Sequence, residues 1–497
     1  MLSTVPQIRI RKANDKAVNS KGDFVLYWMI AFRRTQWNYS LQRAVNWAKE
    51  LGKPLVILEA LRCAYPWASD RLHRFVMDGM VENARQTKRQ SALYYPYLEL
   101  KPDGGKGLLS ALAERACVVV TDDFPAFFIP RMVASAARNL TVLVEQVDSN
   151  GLLPMRAADR VFPTAYAFRR FLQKTLPGHL FEHPEAEPLK GAKLQRIDAL
   201  PEKISMRWPP VSPRLLQGRS KVPASLPIDH DVGVVDQRGG CSEAQKVLKL
   251  FLEERLSAYA EKRNQPEEEG TSGLSPYLHF GHISAHQIFR AIMEKEKWFF
   301  DRLSERANGH RSGWWGMSET AEAFLDQLIT WRELGFNLCW QRDDYDGYDS
   351  LPDWALATLK AHEMDERAHI YSREEFELGR THDPLWNAAQ MQLCREGRIH
   401  NYLRMVWGKK ILEWTASPRK ALSVMIELND KYALDGRDPN SYSGIFWVLG
   451  RYDRAWGPER PIFGKIRYMS SKNTARKIRV QNYIKKYVPR DTQETTD

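Results

Sequence analysis

Short apolar runs alternate with amphipathic stretches over the first third of the chain. Residues 24–30 (FVLYWMI) and 54–61 (PLVILEAL) have the length and apolar character of buried strands, and residues 41–51 between them have helical spacing. Two later runs, 116–121 (ACVVVT) and 140–144, predict further strands. Because strands separated by helices are typical of parallel sheets, this part of the chain is predicted to form an α/β domain.

The pattern changes twice further along the chain. Eight prolines between residues 181 and 240 disfavour long helices, so we interpret this stretch as an interdomain linker. After residue 241, apolar positions repeat with helical spacing, most clearly at 243–263, 284–297, 321–342 and 404–415. The predicted organisation is a flexible N-terminal tail (1–22), an α/β domain (23–180), the linker (181–240) and a helical domain (241–497).

Length and composition fit a soluble intracellular protein of two domains. The 497 residues exceed one ordinary core. No apolar run approaches the roughly 20 residues of a membrane span, and the polar, basic N-terminus lacks a secretory signal, so we expect a cytoplasmic protein. Five widely spaced cysteines, without CxxC or Cys/His clusters, predict neither disulfides nor a metal site. The net charge of +12 favours nucleic acid as a partner, although a merely basic protein is an alternative.

One segment has the features of a phosphate-binding helix start. In residues 271–281 (TSGLSPYLHFG), the hydroxyls of Thr271, Ser272 and Ser275 precede an apolar helix, with Pro276 at its first turn. Free backbone N–H groups and hydroxyls at such a place suit a diphosphate. An ordinary N-cap with a spare serine explains the same pattern. The first strand and helix carry no GxGxxG, so the α/β domain is not the obvious cofactor site.

A second segment places two indoles on one helix face. Arg404, Trp407, Ile411 and Trp414 are spaced by 3, 4 and 3 residues. Trp407 and Trp414 are thereby separated by roughly 10 Å along the axis. A third indole between them would shorten each step of an electron path, but the spacing alone favours a buried aromatic stripe.

A third segment is a run of one charge sign. Between residues 465 and 490 there is no Asp or Glu, and Tyr468 and Tyr483 are interleaved among the cations. A solvated face is the usual reason for such a run, but its length in a basic protein favours phosphate contacts. The cations are Lys465, Arg467, Lys472, Arg476, Lys477, Arg479, Lys485, Lys486 and Arg490.

Five sequence blocks follow one another along the chain, namely SPYLHFG (275–281), THDPLWNA (381–388), RMVWGKKILEWT (404–415), LNDKYALDGRDPN (428–440) and RPIFGKIRYM (460–469). In this order they resemble the class II cyclobutane pyrimidine dimer photolyases of the photolyase/cryptochrome family. The resemblance implies a Rossmann-like α/β antenna domain and an all-α FAD-binding domain. It also implies a second, antenna chromophore of the 8-hydroxydeazaflavin or folate type, whose identity residues 32–35 (FRRT) leave open because the family segment is more acidic.

The resemblance assigns cofactor residues. FAD would be held by Tyr259, Thr271, Ser272, Gly273, Leu274 and Ser275, with Arg404 and Asp435 around the isoalloxazine ring. A structural salt bridge explains Arg404 and Asp435 equally well without the family match. Asn429 corresponds to the residue that faces flavin N5, where an aspartate would favour a plant-type photoreceptor. Trp407, Trp386 and Trp414 match the tryptophan triad that photoreduces the flavin, in that order from the ring, with Tyr371 near it.

The implied activity is repair of pyrimidine dimers in DNA by a light-driven electron from reduced FAD. Trp331, Trp447 and Met405 match residues that contact the flipped-out dimer, and Asn401 resembles a lesion-contacting asparagine of class I photolyases, which counts against (6-4) repair. Arg263, Lys465, Arg467 and Lys472 are expected DNA contacts. We expect a monomer that binds damaged DNA and no membrane.

One departure leaves a second function open. Gln327 stands where the family has a dimer-contacting glutamate, and glutamine cannot donate a carboxylic proton. This favours the alternative, a photolyase-like blue-light receptor that keeps FAD and the triad without efficient repair. Asn429, the pair Trp331 and Trp447, and the basic run favour repair.

Overall fold

The computed structural model describes residues 4–217 and 222–488. The chain forms two compact units. The first comprises residues up to 159, 172–250 and 273–303, and the second comprises 160–171, 251–272 and 304 onward.

The first unit contains a six-stranded sheet in the order β1-β6-β5-β2-β3-β4. All neighbouring strands are parallel except β1, which pairs antiparallel with β6. The strands are β1 (Ile10–Lys12), β2 (Phe24–Met29), β3 (Leu55–Leu61), β4 (Ala92–Leu98), β5 (Ala116–Asp122) and β6 (Val144–Val147).

The helices of this unit lie around the sheet, within the predicted linker (181–240) and after it. They are α1 (Tyr39–Leu51), α2 (Asp70–Thr87), α3 (Leu108–Ala113), α4 (Ile129–Asn139), α5 (Ala165–Thr175), which crosses the unit boundary, α6 (Glu202–Arg207), α7 (Pro213–Gln217), α8 (Cys241–Leu250), α10 (Ser275–His279) and α11 (Ala285–Lys295).

The second unit is helical. Its helices are α9 (Tyr259–Lys262), α12 (Glu319–Leu325), α13 (Arg332–Gln341), α14 (Asp353–Ala361), α15 (Arg373–Glu377), α16 (Pro384–Glu396), α17 (Asn401–Trp414), α18 (Pro418–Tyr432), α19 (Pro439–Val448), α20 (Ser471–Lys477) and α21 (Gln481–Lys486). Two π-helical segments, Phe251–Arg255 and Asp326–Trp331, interrupt the α-helical path.

A buried carboxylate fixes the carboxyl end of β2. Asp122 accepts hydrogen bonds from the backbone N–H groups of Ile30, Ala31 and Phe32 at 2.8–2.9 Å, and from the Tyr27 hydroxyl at 2.8 Å. The chain can therefore leave the sheet here without burying unsatisfied N–H groups. Asn38 then caps α1 by accepting from Ser40 and Leu41, so the predicted strand–helix succession is confirmed.

Three sheet elements differ from the sequence analysis. β1 lies within the stretch 1–22 that was expected to be a tail. The run 140–144 is not a strand, since β6 begins at Val144 and continues through Glu145 and Gln146. Both polar residues are buried, and Glu145 is neutralised by Arg43 at 2.7 Å, which hydropathy does not reveal. β4 was missed because it is an edge strand interrupted by Pro96.

The long helices predicted at 243–263 and 321–342 are each divided by a π-helical segment. The core of the second unit centres on α16, α17 and α18. Among the described residues, no helix combines the length and apolar character needed to cross a membrane. The same residues contain no cluster of three His, Cys, Asp or Glu suited to a metal ion.

Candidate active site

Arg404, Asn429 and Asp435 meet where α17 packs against α18 and the turn that follows it. Arg404 Nη2 lies 3.3 Å from Asp435 Oδ1, and Arg404 Nη1 donates to Asn429 Oδ1 at 3.5 Å. The Nε of Arg404 is buried and has no hydrogen-bond partner among the described residues. A partly buried cation with a spare donor is suited to holding an electron-rich ring.

The orientation of the Asn429 amide is fixed from behind. Its Nδ2 donates to Asp430 Oδ1 at 3.0 Å and to Ser441 Oγ at 2.8 Å, so both amide hydrogens are used. Asp430 in turn accepts from the Tyr442 hydroxyl and the Arg437 backbone N–H. Burial raises the pKa of Asp430, and the positive charge of Arg437 counteracts part of that rise. The amide therefore turns its carbonyl oxygen toward Arg404.

The predicted phosphate segment has the helix start expected of it. α10 begins at Ser275 with Pro276 in its first turn. Gly273 has φ +70°, a conformation that favours glycine. Thr271 and Ser272 belong to the second unit, whereas Gly273, Leu274 and Ser275 belong to the first.

Tyr259 starts α9 in the second unit, and its ring contacts Phe251 and Phe324 edge-on at 5.6 and 5.4 Å. Arg263 lies one turn later, with its guanidinium 5.7 Å from the Tyr259 ring centre. Burial raises the pKa of Tyr259, and Arg263 partly opposes that rise. The Tyr259 phenol therefore stays protonated at neutral pH.

The three predicted triad tryptophans lie together in the core of the second unit, each at most 2% exposed. The rings of Trp386 and Trp414 are 5.9 Å apart at 69°, and Trp414 is 5.7 Å from Tyr371. Trp386 Nε1 donates to the backbone carbonyl of Trp407 at 2.9 Å, and Trp407 Nε1 donates to Gln390 Oε1 at 2.9 Å. The aromatic series Trp386, Trp414, Tyr371 is continuous, and a hydrogen bond joins Trp407 to it.

Trp331 and Trp447, the predicted dimer contacts, stack on each other. Their ring centres are 4.5 Å apart and their planes differ by 16°. Both are half-buried, and Trp447 Nε1 is a buried donor with no partner among the described residues. Met405 is half-buried on α17 next to Arg404, and Asn401 is exposed at the start of that helix. The tryptophan pair therefore forms a flat aromatic surface.

Gln327 lies in the π-helical segment and is half-buried. Its neighbour Asp326 is engaged elsewhere, since both carboxylate oxygens accept from the Arg169 guanidinium at 2.8 and 3.1 Å. Asp326 therefore does not substitute for the glutamate expected at position 327. π-Helical turns are frequent at functional sites.

The cations of the C-terminal run that the structure describes, residues 465–486, are all exposed. Lys465 lies 3.3 Å from Glu459, and Arg467 covers the Trp456 ring. Lys472 is at the start of α20. Arg490 lies outside the described residues. Lys486 lies 3.3 Å from Glu396, so two of these exposed cations already have an acidic neighbour.

Comparison with known proteins identifies the family of the chain. Over 477 residues the chain is 34% identical to a deoxyribodipyrimidine photo-lyase from Methanothermobacter thermautotrophicus, across 96% of this chain and 97% of that relative. A deoxyribodipyrimidine photo-lyase from Arabidopsis thaliana is 34% identical across 93% of this chain and 88% of its own length. The chain belongs to the photolyase/cryptochrome family.

A solved structure of the photolyase/cryptochrome family shows the same fold. A class III photolyase from Agrobacterium tumefaciens has a TM-score of 0.66 over 96% of this chain and 88% of its own, at 18% identity. The predicted succession of a mainly parallel α/β domain and a helical domain is thereby confirmed. A scan against family models gave no match.

Sequence reasoning missed several residues that contact the candidate site. Asp430 and Ser441 orient Asn429, and the Tyr371 hydroxyl lies 2.6 Å from His382 Nδ1. Asp430 is next to Asn429, and His382 is four residues before Trp386, and both lie inside the blocks that carry the resemblance. Their closeness in sequence to predicted site residues could have indicated them. Nothing in the pattern around Ser441 indicates that contact.

Proposed function

We propose that this chain is a class II cyclobutane pyrimidine dimer photolyase that binds FAD and repairs DNA under blue or near-UV light. The observation that carries the proposal is that one helix, α19, contributes a residue to each of two clusters. Ser441 on this helix contacts Asn429, and Trp447 on the same helix stacks on Trp331. Six residues of helix separate them, about 9 Å along the axis. One rigid element thus joins the ring-binding cluster to the aromatic surface.

The residues present fit FAD. Arg404 and Asp435 would hold the isoalloxazine ring, and the spare Nε–H of Arg404 gives an additional donor to it. Asn429 would offer its carbonyl oxygen to a donor of the reduced ring. The positive charge of Arg404 would stabilise an anionic reduced ring. Tyr259, Thr271 and Ser272, which lie in the same unit as Arg404, would hold part of the remainder of the dinucleotide.

When bound and reduced, FAD supplies the photoexcited electron that splits the cyclobutane ring and afterwards returns, so no net redox change occurs. Trp331 and Trp447 present one face to the dimer and exclude water from it, and base–aromatic stacking contributes about 1–3 kcal/mol per base. Gln327 can hydrogen-bond the dimer but supplies no proton. Exposed Lys472 and its neighbours bind phosphates without reading sequence.

One observation favours the blue-light receptor as a second candidate, namely Gln327 in place of the family glutamate. The two candidates differ in whether light restores thymine. The purified chain, with its FAD chemically reduced, is mixed with dimer-containing oligothymidine and irradiated, and thymine absorbance is followed against a dark control. Recovery in the light alone supports repair.

The matched variant for this experiment is Gln327→Glu. If the proposal is correct, the native chain repairs and the variant repairs at least as fast. If the native chain holds reduced FAD yet gives no recovery, and Gln327→Glu does, the receptor function is favoured. A chain that retains no FAD contradicts both functions.

A further inference from the structure

A tyrosine–histidine pair lies at the outer end of the aromatic series. The Tyr371 ring meets Trp414 at 5.7 Å and 78°, and the Tyr371 backbone N–H donates to the Trp414 carbonyl at 3.1 Å. The Tyr371 hydroxyl is 2.6 Å from Nδ1 of His382, a short contact. Tyr371 is half-buried and His382 is exposed, so the pair connects the core to solvent.

The direction of the hydrogen bond between the two side chains depends on the tautomer of His382. The Tyr371 oxygen also accepts from the His382 backbone N–H at 3.0 Å. When the imidazole is neutral and protonated on Nε2, Nδ1 is an acceptor and the phenol donates its hydrogen to it. A phenol in this arrangement can lose its proton along an existing hydrogen bond.

The surroundings keep the imidazole neutral. Desolvation lowers the pKa of His382, and His369, whose ring stacks on it at 3.9 Å, and Lys410 lower it further. Asp383 and Glu413 act in the opposite direction but do not outweigh these groups. At neutral pH the ring can accordingly accept a proton.

We propose that His382 is the proton acceptor that allows Tyr371 to be oxidised by Trp414. This inference rests on the proposed function together with the tryptophan triad that the resemblance implies, in which light draws an electron inward along the tryptophans and leaves Trp414 as a radical cation. One electron then passes from Tyr371 to Trp414, the phenol O–H bond breaks, and its proton forms a bond with Nδ1 of His382. The products are neutral Trp414, a neutral tyrosyl radical and an imidazolium.

The step moves the positive charge to an exposed side chain, from which the proton can pass to water. Without an acceptor, tyrosine oxidation would produce a strongly acidic phenol cation, which is unfavourable. The pair therefore slows return of the electron by placing the charge and the radical on different residues. His382 acts on Tyr371 and does not contact the reacting dimer.

The test is flash absorption spectroscopy of the FAD-loaded chain, in which tryptophan and tyrosyl radicals have separate bands. In the native chain, decay of the tryptophan radical should match growth of the tyrosyl radical and slow in D2O. His382→Gln should slow tyrosyl formation by about a hundredfold or more, the lower bound for a lost proton acceptor. His369→Gln removes the stacked ring and its effect on the His382 pKa but keeps the Tyr371–His382 hydrogen bond, so it should change the rate of tyrosyl formation far less than His382→Gln.

A second measurement, nuclear magnetic resonance of the histidine nitrogens, needs no flavin. In the chain labelled with 15N-histidine, Nδ1 of His382 should resonate as an unprotonated acceptor and shift in Tyr371→Phe. Equal tyrosyl formation in the native chain and His382→Gln, with the tryptophan radical present in both, overturns the inference alone. Failure of any tryptophan radical to form overturns the electron path of the proposed function together with it.

Discussion

Replacing Asp326 by asparagine tests whether this acid is structural. Asp326 is 8% exposed and Arg169 6% exposed, and two hydrogen bonds of 2.8 and 3.1 Å join them. Asp326→Asn keeps the shape and removes the charge. Arg169 would then have two neutral acceptors, the amide oxygen introduced at position 326 and the Gly309 carbonyl at 3.3 Å, and would lose the carboxylate charge.

The burial of this ion pair determines how much free energy of unfolding Asp326→Asn should cost. Removing one partner of a buried ion pair leaves an uncompensated charge and costs about 3–5 kcal/mol. An exposed pair such as Arg342 and Asp344, at 2.7 Å, contributes only about 0–1 kcal/mol. Asp326→Asn should thus lower the free energy of unfolding of the second unit by several times the effect of Asp344→Asn. Affinity of the folded variant for dimer-containing DNA should not change.

Urea unfolding followed by tryptophan fluorescence measures the difference, since most tryptophans lie in the second unit. The double variant Arg169→Met with Asp326→Leu serves as a control for packing, and it should recover much of the loss because no charge is left unpaired. A loss below about 1 kcal/mol in Asp326→Asn, or a large change in dimer affinity without loss of stability, would refute the reasoning. Asp326 would then be available to the site beside Gln327.

Three further predictions concern the electron path, the aromatic surface and Glu396 at the end of α16. Trp407→Phe should abolish photoreduction of oxidised FAD yet leave repair by chemically reduced enzyme largely intact, as measured by steady illumination and by thymine recovery. Trp447→Ala should weaken binding to dimer-containing DNA by about 5- to 150-fold, equivalent to 1–3 kcal/mol, and leave undamaged DNA unaffected in the same titration. Burial alone would raise the pKa of Glu396, but the Tyr487 hydroxyl and Arg398 hold it below the ordinary value. Ionised Glu396 therefore stabilises the folded chain above about pH 4.3, its ordinary pKa. This stabilisation is lost as the pH falls through the lower pKa that Glu396 has in the folded state. The difference in Tm between the native chain and Glu396→Gln should disappear over that range.

Strands and helices with an uninterrupted apolar pattern could be predicted from the sequence. β2, β3 and β5 are buried on both faces, so hydropathy alone identifies them. β6 could not be placed because the partners of buried Glu145, Arg43 and Trp47, lie about 100 positions away in the sequence, at separations of 102 and 98. π-Helical segments leave no mark on apolar spacing, so the interruptions at 251–255 and 326–331 were not foreseen.

Which residues form the candidate site could be predicted from the sequence only through the family resemblance. The spacing of Trp407 and Trp414 favoured a buried stripe over an electron path. The structure confirms the burial of both indoles and places the Trp414 ring 5.9 Å from Trp386, and the electron path stays a prediction. Arg404 and Asp435 do form an ion pair, as the residue types suggested. The orientation of Asn429 depends on Ser441, twelve positions distant, and such a contact has no local signal.

The central claim is that reduced FAD in the helical unit lies within electron-transfer reach of a dimer held at Trp331 and Trp447. The most direct measurement is the fluorescence lifetime of the chemically reduced flavin, recorded with dimer-containing oligothymidine and with the undamaged oligonucleotide. The account predicts a shorter lifetime with the dimer alone, because electron transfer to it competes with emission. An unchanged lifetime when the dimer-containing DNA is fully bound would contradict it.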